Sequence, residues 1–387
     1  MFQASKRISG LVQSDIRAMT IECNRLNGIN LGQGLCETET PNEVIEAAKE
    51  AISTKKKSIY SSPEGVGPLR AEIADKLKRE NKIEVDKDTE VIVTNGATGG
   101  YAATLMALMN PGDGLLIFEP YYGYHVNAAL LAEVVPQYIP FESADQKVSV
   151  EQIEACIQDN TKAIVVCTPN NPSGKMWTEE EINALATVAE KHNLLVITDE
   201  MYEYFRYDGR EHISPASHPK LKDRSVSLMG LSKTFSITGW RLGYLSAPAE
   251  IANKIRLAND LFYVCAPTPL QHGVAAGFRL DPQHFKTMQS EFKDKRDLLC
   301  EALDKAGMKP WVPEGAYYIL ADIEKFNAPD SKVFAMSLLE SAGVATIPGR
   351  AFFSGPKGEN FIRANFAVND DVLKKACTQI SQFKGSF

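Results

Sequence analysis

Short apolar runs and amphipathic stretches alternate through the middle of this chain. The runs are EVIVTN (90–95), GLLIFEP (114–120), VVPQYIPF (134–141), KAIVVCTP (162–169), LLVITDE (194–200), SVSLMGLSK (225–233) and LGYLSAP (242–248). Rich in Val, Ile and Leu and without polar alternation, they suit strands buried on both faces. Between two of them, TEEEINALATVAEKH (178–192) sets apolar residues at 182, 185, 186 and 189, one face of a helix. Thr178 and Glu181 have capping-box spacing at its start. Strand, helix, strand at this spacing predicts a parallel α/β sheet with right-handed crossovers. The C-terminal part reads differently. SEFKDKRDLLCEALDKAG (290–307) and DSKVFAMSLLESAG (330–343) are amphipathic, each ending on a glycine suited to a helix C-cap. AYYILADI (316–323) and NFIRANFAV (360–368) read as alternating strands. The expected fold is α/β: a mainly parallel central sheet with helices on both faces over residues 46–280, plus a smaller α+β domain. Residues 1–45 and 281–387 are assigned to that smaller domain.

Composition narrows the function classes. The 387 residues, 44% hydrophobic, can bury a large core and more than one domain. A formal net charge of −7 argues against a nucleic-acid partner, whose footprint is strongly basic. No apolar run reaches the roughly 18 residues of a membrane helix, so no membrane span is expected. MFQASKRISGLVQSDIRAM at the start has basic residues but no continuous apolar core, unlike a secretory signal. Seven scattered cysteines (23, 36, 156, 167, 265, 300 and 377), with no CxxC, read as reduced thiols of a cytoplasmic protein. The histidines have no metal-ligand spacing, no metal is expected, and His125 and His212 are left as ordinary residues. KKK at 55–57 reads as a solvated face.

The chemistry lies where the apolar runs stop. Asn171 follows the run ending at Thr168, Asp199 follows VIT, Lys233 follows VSLMGL, and Gly96, Ala97 and Thr98 follow VIVTN. Ligands of open parallel sheets bind at the carboxyl ends of the strands, so four separate segments converge on one crevice. GAT at 96–98 opens a helix with small residues whose amides can approach an anion, although an ordinary strand–helix turn would look the same. Arg241 could clamp that anion with two parallel hydrogen bonds. Asp199 at a buried strand end needs a cationic partner, either a protonated ring nitrogen or a structural arginine. Tyr202 stands three residues on, on the same side if a helical turn begins there. Lys233 beside positive groups would have a depressed pKa and act as an amine nucleophile. A phosphate clamp, an acid for a ring nitrogen and a nucleophilic lysine together describe a site for pyridoxal 5'-phosphate.

The motifs also resemble a family in their order along nearly the whole chain. LGQG (31–34), YSSPEGVGPLR (60–70), TNGATGG (94–100), EPYYGY (119–124), TPNNPSG (168–174), TDEMY (198–202), SKTFSITGWRLGY (232–244), PEGAYY (313–318) and NFIRANFA (360–367) are similar to those of class I/II aminotransferases of the aspartate aminotransferase fold group, fold type I. The resemblance implies that Lys233 carries the cofactor covalently and is the base for the proton shift. It implies that Asp199 pairs with the pyridinium nitrogen and that Asn171 and Tyr202 bond the phenolate oxygen. Tyr122 would stack on the pyridine. The amides of Ala97 and Thr98, with Ser232 and Arg241, would hold the phosphate, joined by Tyr60 from a neighbouring subunit of a homodimer. Arg363 and the backbone of Gly34 would hold the substrate α-carboxylate, with Asn171 beside them.

Three departures from the family pattern bear on specificity. Gly230 stands where many relatives have a serine or threonine. NDLFYVCAPTP (259–269) is apolar where the dicarboxylate-specific branch offers a partner arginine, which leaves room for aromatic or other neutral substrates. LCETETP (35–41) is expected to border the substrate side chain. The expected activity is transfer of an amino group between an L-amino acid and a 2-oxo acid, in a ping-pong cycle between pyridoxal and pyridoxamine phosphate. The alternative is a carbon–sulfur lyase or cyclising enzyme on the same scaffold. A non-catalytic regulator is disfavoured because about 45 residues precede the first helix of the cofactor domain, too few for a winged-helix module.

Overall fold

The computed structural model describes residues 3–387 except 10, 12, 13, 142, 144 and 386. Part of the N-terminal stretch read above as lacking a signal (residues 1, 2, 10, 12 and 13) therefore lies outside the described residues. Strand β1 (Ile29–Asn30) comes first. Seven strands then build the central sheet: β2 (Val91–Thr94), β3 (Gly114–Phe118), β4 (Val135–Ile139), β5 (Thr161–Cys167), β6 (Leu195–Asp199), β7 (Ser225–Gly230) and β8 (Gly243–Ser246). Their order is β2-β8-β7-β6-β5-β3-β4. Every residue of β2, β3, β7 and β8 is buried, as unbroken apolar runs require.

One strand departs from the parallel expectation. β8 runs antiparallel to both β2 and β7, while the other neighbours are parallel. The link from β7 to β8 carries only a 3-10 turn, Thr238–Trp240, so no crossover helix returns the chain to the other end of the sheet. Elsewhere the helices form as their spacing predicts. Helix Glu179–Lys191 opens on Thr178 with both halves of the capping box made, Glu181 N to Thr178 Oγ1 at 3.3 Å and Thr178 N to Glu181 Oε2 at 2.9 Å. The long helix Pro282–Ala306 begins earlier than expected, because Pro282 at its first position and the Asp281 cap start it there. It stops at Gly307, whose φ of +89° is the left-handed cap conformation.

The C-terminal part adds β9 (Lys309–Trp311), β10 (Tyr318–Asp322), β11 (Val344–Ala345), β12 (Ile347–Pro348) and β13 (Phe361–Asn365). An antiparallel sheet takes four of them in the order β12-β13-β10-β9, and β11 pairs in parallel with β1. Alternation was expected for β10 and β13, yet all of β13 and all but Asp322 of β10 are buried. Phe292 and Leu299 of the long helix, Leu338, and Phe205 and Tyr207 all join the cluster that encloses these strands. Each fully buried apolar side chain of that size contributes about 1.5–3 kcal/mol relative to exposure. Among the described residues, no helix is long and apolar enough to cross a membrane.

Candidate active site

The carboxyl ends of β2, β6 and β7 open into a cavity of about 490 Å³, to which the start of the chain and β13 also contribute. It is lined by Gly34, Ala97, Thr98, Tyr122, Asn171, Asp199, Tyr202, Ser232, Lys233, Arg241 and Arg363. Of the residues singled out from the sequence only Tyr60 is not among them, and its side chain is 81% exposed.

Lys233 follows β7, and its Nζ donates to the carbonyl of Gly34 at 2.7 Å. Burial holds its ammonium down at about 8; Arg241 and Arg363 push the same way and Cys36 opposes them. An amine of that kind is partly neutral, and so nucleophilic, near neutral pH. Asp199 ends β6 and is buried. Its Oδ1 accepts from Met201 N at 3.3 Å, and its Oδ2 lies 2.8 Å from Nε2 of the buried His125. The His125 ring sits between Tyr101 and Tyr122, at centroid distances of 5.0 and 5.4 Å. His125 is thus no ordinary residue. Its signal was a position three residues after Tyr122 in the first turn of helix Gly123–Leu131, which sets the two side by side.

Two ends of the cavity are built for anions. Helix Gly96–Leu108 starts without a side-chain cap, and the Oδ1 of its N-cap residue, Asn95, is buried without a partner. Its first-turn amides therefore face the cavity with the positive end of the helix behind them. A Cβ on Gly96, whose φ is +70°, would lie 2.7 Å from Nη2 of Arg241, and one on Gly243 would lie 2.7 Å from the amide of Ala97. Glycine at both positions lets backbone and guanidinium share one cradle. Arg241 is itself in the left-handed region at φ +56°, with Nη1 donating to Thr238 O at 3.0 Å.

At the other end Arg363, in the middle of β13, is 1% exposed. It donates to Asn171 Oδ1 at 3.0 Å and to Gly32 O at 2.5 Å, with its guanidinium 4.3 Å from the Tyr318 ring and 4.9 Å from that of Phe352. Its Nε is buried with no acceptor among the described residues. An orphaned, charged donor is costly, so this geometry calls for an anionic ligand.

Other expectations fare differently. Ser232 lines the cavity but gives its proton to Leu242 O at 3.1 Å, so a phosphate there would need the hydroxyl to turn. At Gly230 a Cβ would strike the thioether of Met201, which fills the space a hydroxyl side chain would take. Just before the loop 35–41, Gln33 and Gly34 line the cavity; within it Cys36 lies within the electrostatic reach of Lys233, and Thr38 and Thr40 bond Ser236. Tyr318, missed in the sequence, places its hydroxyl 3.1 Å from that of Tyr202 and packs so tightly on Gly34 that no Cβ fits between them. Helix Asp15–Arg25 was missed as well, and its Ile16, Arg17, Thr20 and Ile21 form one wall. His212 lies in a separate buried network, 2.7 Å from Glu200 Oε2.

Comparison with known proteins agrees with this geometry. The family model "Aminotransferase class I and II" matches residues 27–380. "Aromatic-amino-acid aminotransferase 2" of Thermococcus litoralis is 32% identical over 382 residues, covering 98% of this chain and 97% of the relative. "Probable aspartate aminotransferase" of Methanocaldococcus jannaschii is 35% identical over 382 residues, covering 96% and 97%. The solved structure of N-succinyldiaminopimelate aminotransferase from Mycobacterium tuberculosis superposes with a TM-score of 0.93 at 28% identity, covering 98% of this chain and 99% of that one.

Proposed function

The chain belongs to the class I and II aminotransferases and is an enzyme of amino-group transfer; from that premise we propose how this cavity carries it out. The cofactor is pyridoxal 5'-phosphate, and the residues present fit it. A dianionic phosphate fits the Ala97 and Thr98 amides, the uncapped helix start and Arg241. A ring nitrogen fits Asp199, whose carboxyl group is oriented by His125. The phenolate oxygen fits Asn171 and Tyr202, and the aromatic face fits Tyr122. When bound, the cofactor supplies an aldehyde carbon and a protonated ring that draws electrons from the substrate Cα.

The chain's own residues do the rest. Lys233 provides the amine that anchors the cofactor and, once released, the base that moves a proton at Cα. The guanidinium of Arg363, held by Asn171 and Gly32 and with its Nε unpartnered among the described residues, orients the substrate α-carboxylate, with Gly34 and Asn171 beside it. Asp199 keeps the ring nitrogen protonated. The presence of Arg363, with one donor unpartnered among the described residues, and of Lys233 in the lining of one cavity is the observation that carries this reading.

The working form is proposed to be a homodimer in the cytoplasm, the compartment that the scattered cysteines suit. Ile52, Ile59, Tyr60, Leu257, Leu261 and Phe262 are exposed, Leu261 at 86%. Ser61 N bonds Thr268 Oγ1 at 3.1 Å and Asn259 Nδ2 bonds Pro63 O at 3.2 Å, so the two segments carrying these residues are tied side by side. An apolar patch of that extent suits a second copy, and Tyr60 on it suits a phosphate contact across the interface. The domain division at 46–280 is proposed on the two separate sheets. Borohydride reduction after adding pyridoxal phosphate, followed by peptide mass analysis, tests the assignment. Label on the Lys233 peptide, absent from Lys233→Ala, is expected; label elsewhere or nowhere overturns it.

A further inference from the structure

Charges around the cavity do not balance. Arg17, Arg241, Arg363 and Lys233 line it against one carboxylate, Asp199, which already engages His125. Arg241 is assigned above to a phosphate and Arg363 to an α-carboxylate. Arg17 is assigned to neither, and among the described residues its guanidinium has no counter-ion. It stands in the first turn of helix Asp15–Arg25, and the acids of that helix are engaged elsewhere: Asp15 with Arg350 at 3.3 Å, Glu22 with Arg25 at 2.7 Å. The Arg17 backbone amide donates to Ser14 O at 2.9 Å, but among the described residues its side chain makes no hydrogen bond or ion pair. A planar guanidinium left free on the wall of a ligand cavity is matched to a carboxylate or phosphate.

We propose that Arg17 binds the distal carboxylate of a dicarboxylic substrate, so that the three guanidiniums meet three anions: cofactor phosphate, α-carboxylate and side-chain carboxylate. This rests on the assignments of Arg241 and Arg363 given above. The apolar segment 259–269 then does not make the enzyme blind to dicarboxylates, because the second cation comes from the N-terminal helix of the chain. Ile16 and Ile21 on the same wall leave room for an apolar side chain, so neutral substrates are bound without this contact. Arg17 itself is exposed, and its contribution is therefore sensitive to salt.

The test uses the pyridoxal-phosphate-loaded enzyme with one amino donor and two acceptors, 2-oxoglutarate and pyruvate. For Arg17→Gln the ratio of kcat/KM for 2-oxoglutarate to that for pyruvate is expected to fall about ten- to hundredfold, mainly through KM. Arg17→Lys should keep part of the preference. Raising ionic strength from about 0.05 to about 0.5 M should erode it in the wild type and not in Arg17→Gln. An unchanged ratio, an equal loss with both acceptors, or a wild type that uses pyruvate and not 2-oxoglutarate overturns the proposal. A wild type that transfers amino groups to neither acceptor fails the underlying functional reading instead.

Discussion

Lys233 is proposed as the reactive amine because of where it lies, half-buried within the influence of Arg241 and Arg363 and donating to the carbonyl of Gly34. A lysine ammonium ordinarily loses its proton near 10.5, and this one does so at about 8. The neutral amine, the form that attacks an aldehyde, is therefore scarce below that value and dominant above it. Capture of pyridoxal phosphate by the cofactor-free protein should accelerate with pH through a midpoint near 8, read by stopped-flow absorbance. Arg363→Gln removes one positive neighbour and should shift that midpoint upward; a midpoint near 10.5 in the wild type would contradict this account. Lys233 and Asp199 could be proposed from the sequence because each is a polar residue ending an apolar run, and Arg363 only through the family resemblance of NFIRANFA (360–367). His125 and Tyr318 could not, since what marks them is contact across elements: His125 with Asp199, Tyr318 with Tyr202 and Gly34. No spacing along the chain encodes such contacts.

At the scale of elements, the site is an arrangement of strand ends, and one tight joint is where β2 passes into helix Gly96–Leu108. Gly96→Ala would place a methyl against Arg241 on a backbone with φ of +70°. The expected cost is about 1–3 kcal/mol in denaturant unfolding, with weaker retention of the cofactor measured by dialysis. Unchanged stability and retention would show that the cradle is not tight. The unbroken apolar runs did reveal the strands of the central sheet, but burial on both faces is the same for either strand direction. The reversal of β8 was therefore hidden until the short β7–β8 link was seen to lack a helix. β10 and β13 misled for the opposite reason. Small and polar residues within them suggested a wet face, whereas Arg363 and Asn365 are buried and hold the cavity and the loop at Gln33 and Leu35.

At the scale of the whole molecule, the seven-stranded and four-stranded sheets both contribute residues to the cavity, and the exposed Tyr60 marks the proposed reach to a second copy. Mixing Lys233→Ala with Tyr60→Phe subunits tests that reach. If Tyr60 serves the partner's site, half the mixed dimers are hybrids with one intact site, and activity returns to about a quarter of wild type. Recovery no greater than the sum of the two parents would place Tyr60 outside the neighbouring site. The division into a sheet-rich middle and a C-terminal α+β part could be read from the change in hydrophobic pattern. The stitching of β1 to β11 could not, because two-residue strands leave no periodic signal. On the proposed function, this cavity moves an amino group from one acid to another. The most direct measurement gives the loaded enzyme a panel of ¹⁵N-labelled L-amino acids with an unlabelled 2-oxo acid and follows the label by mass spectrometry. Label is expected in the new amino acid, dependent on Lys233 and Arg363; release of the label as free ammonia, with no labelled amino acid formed, would contradict amino-group transfer.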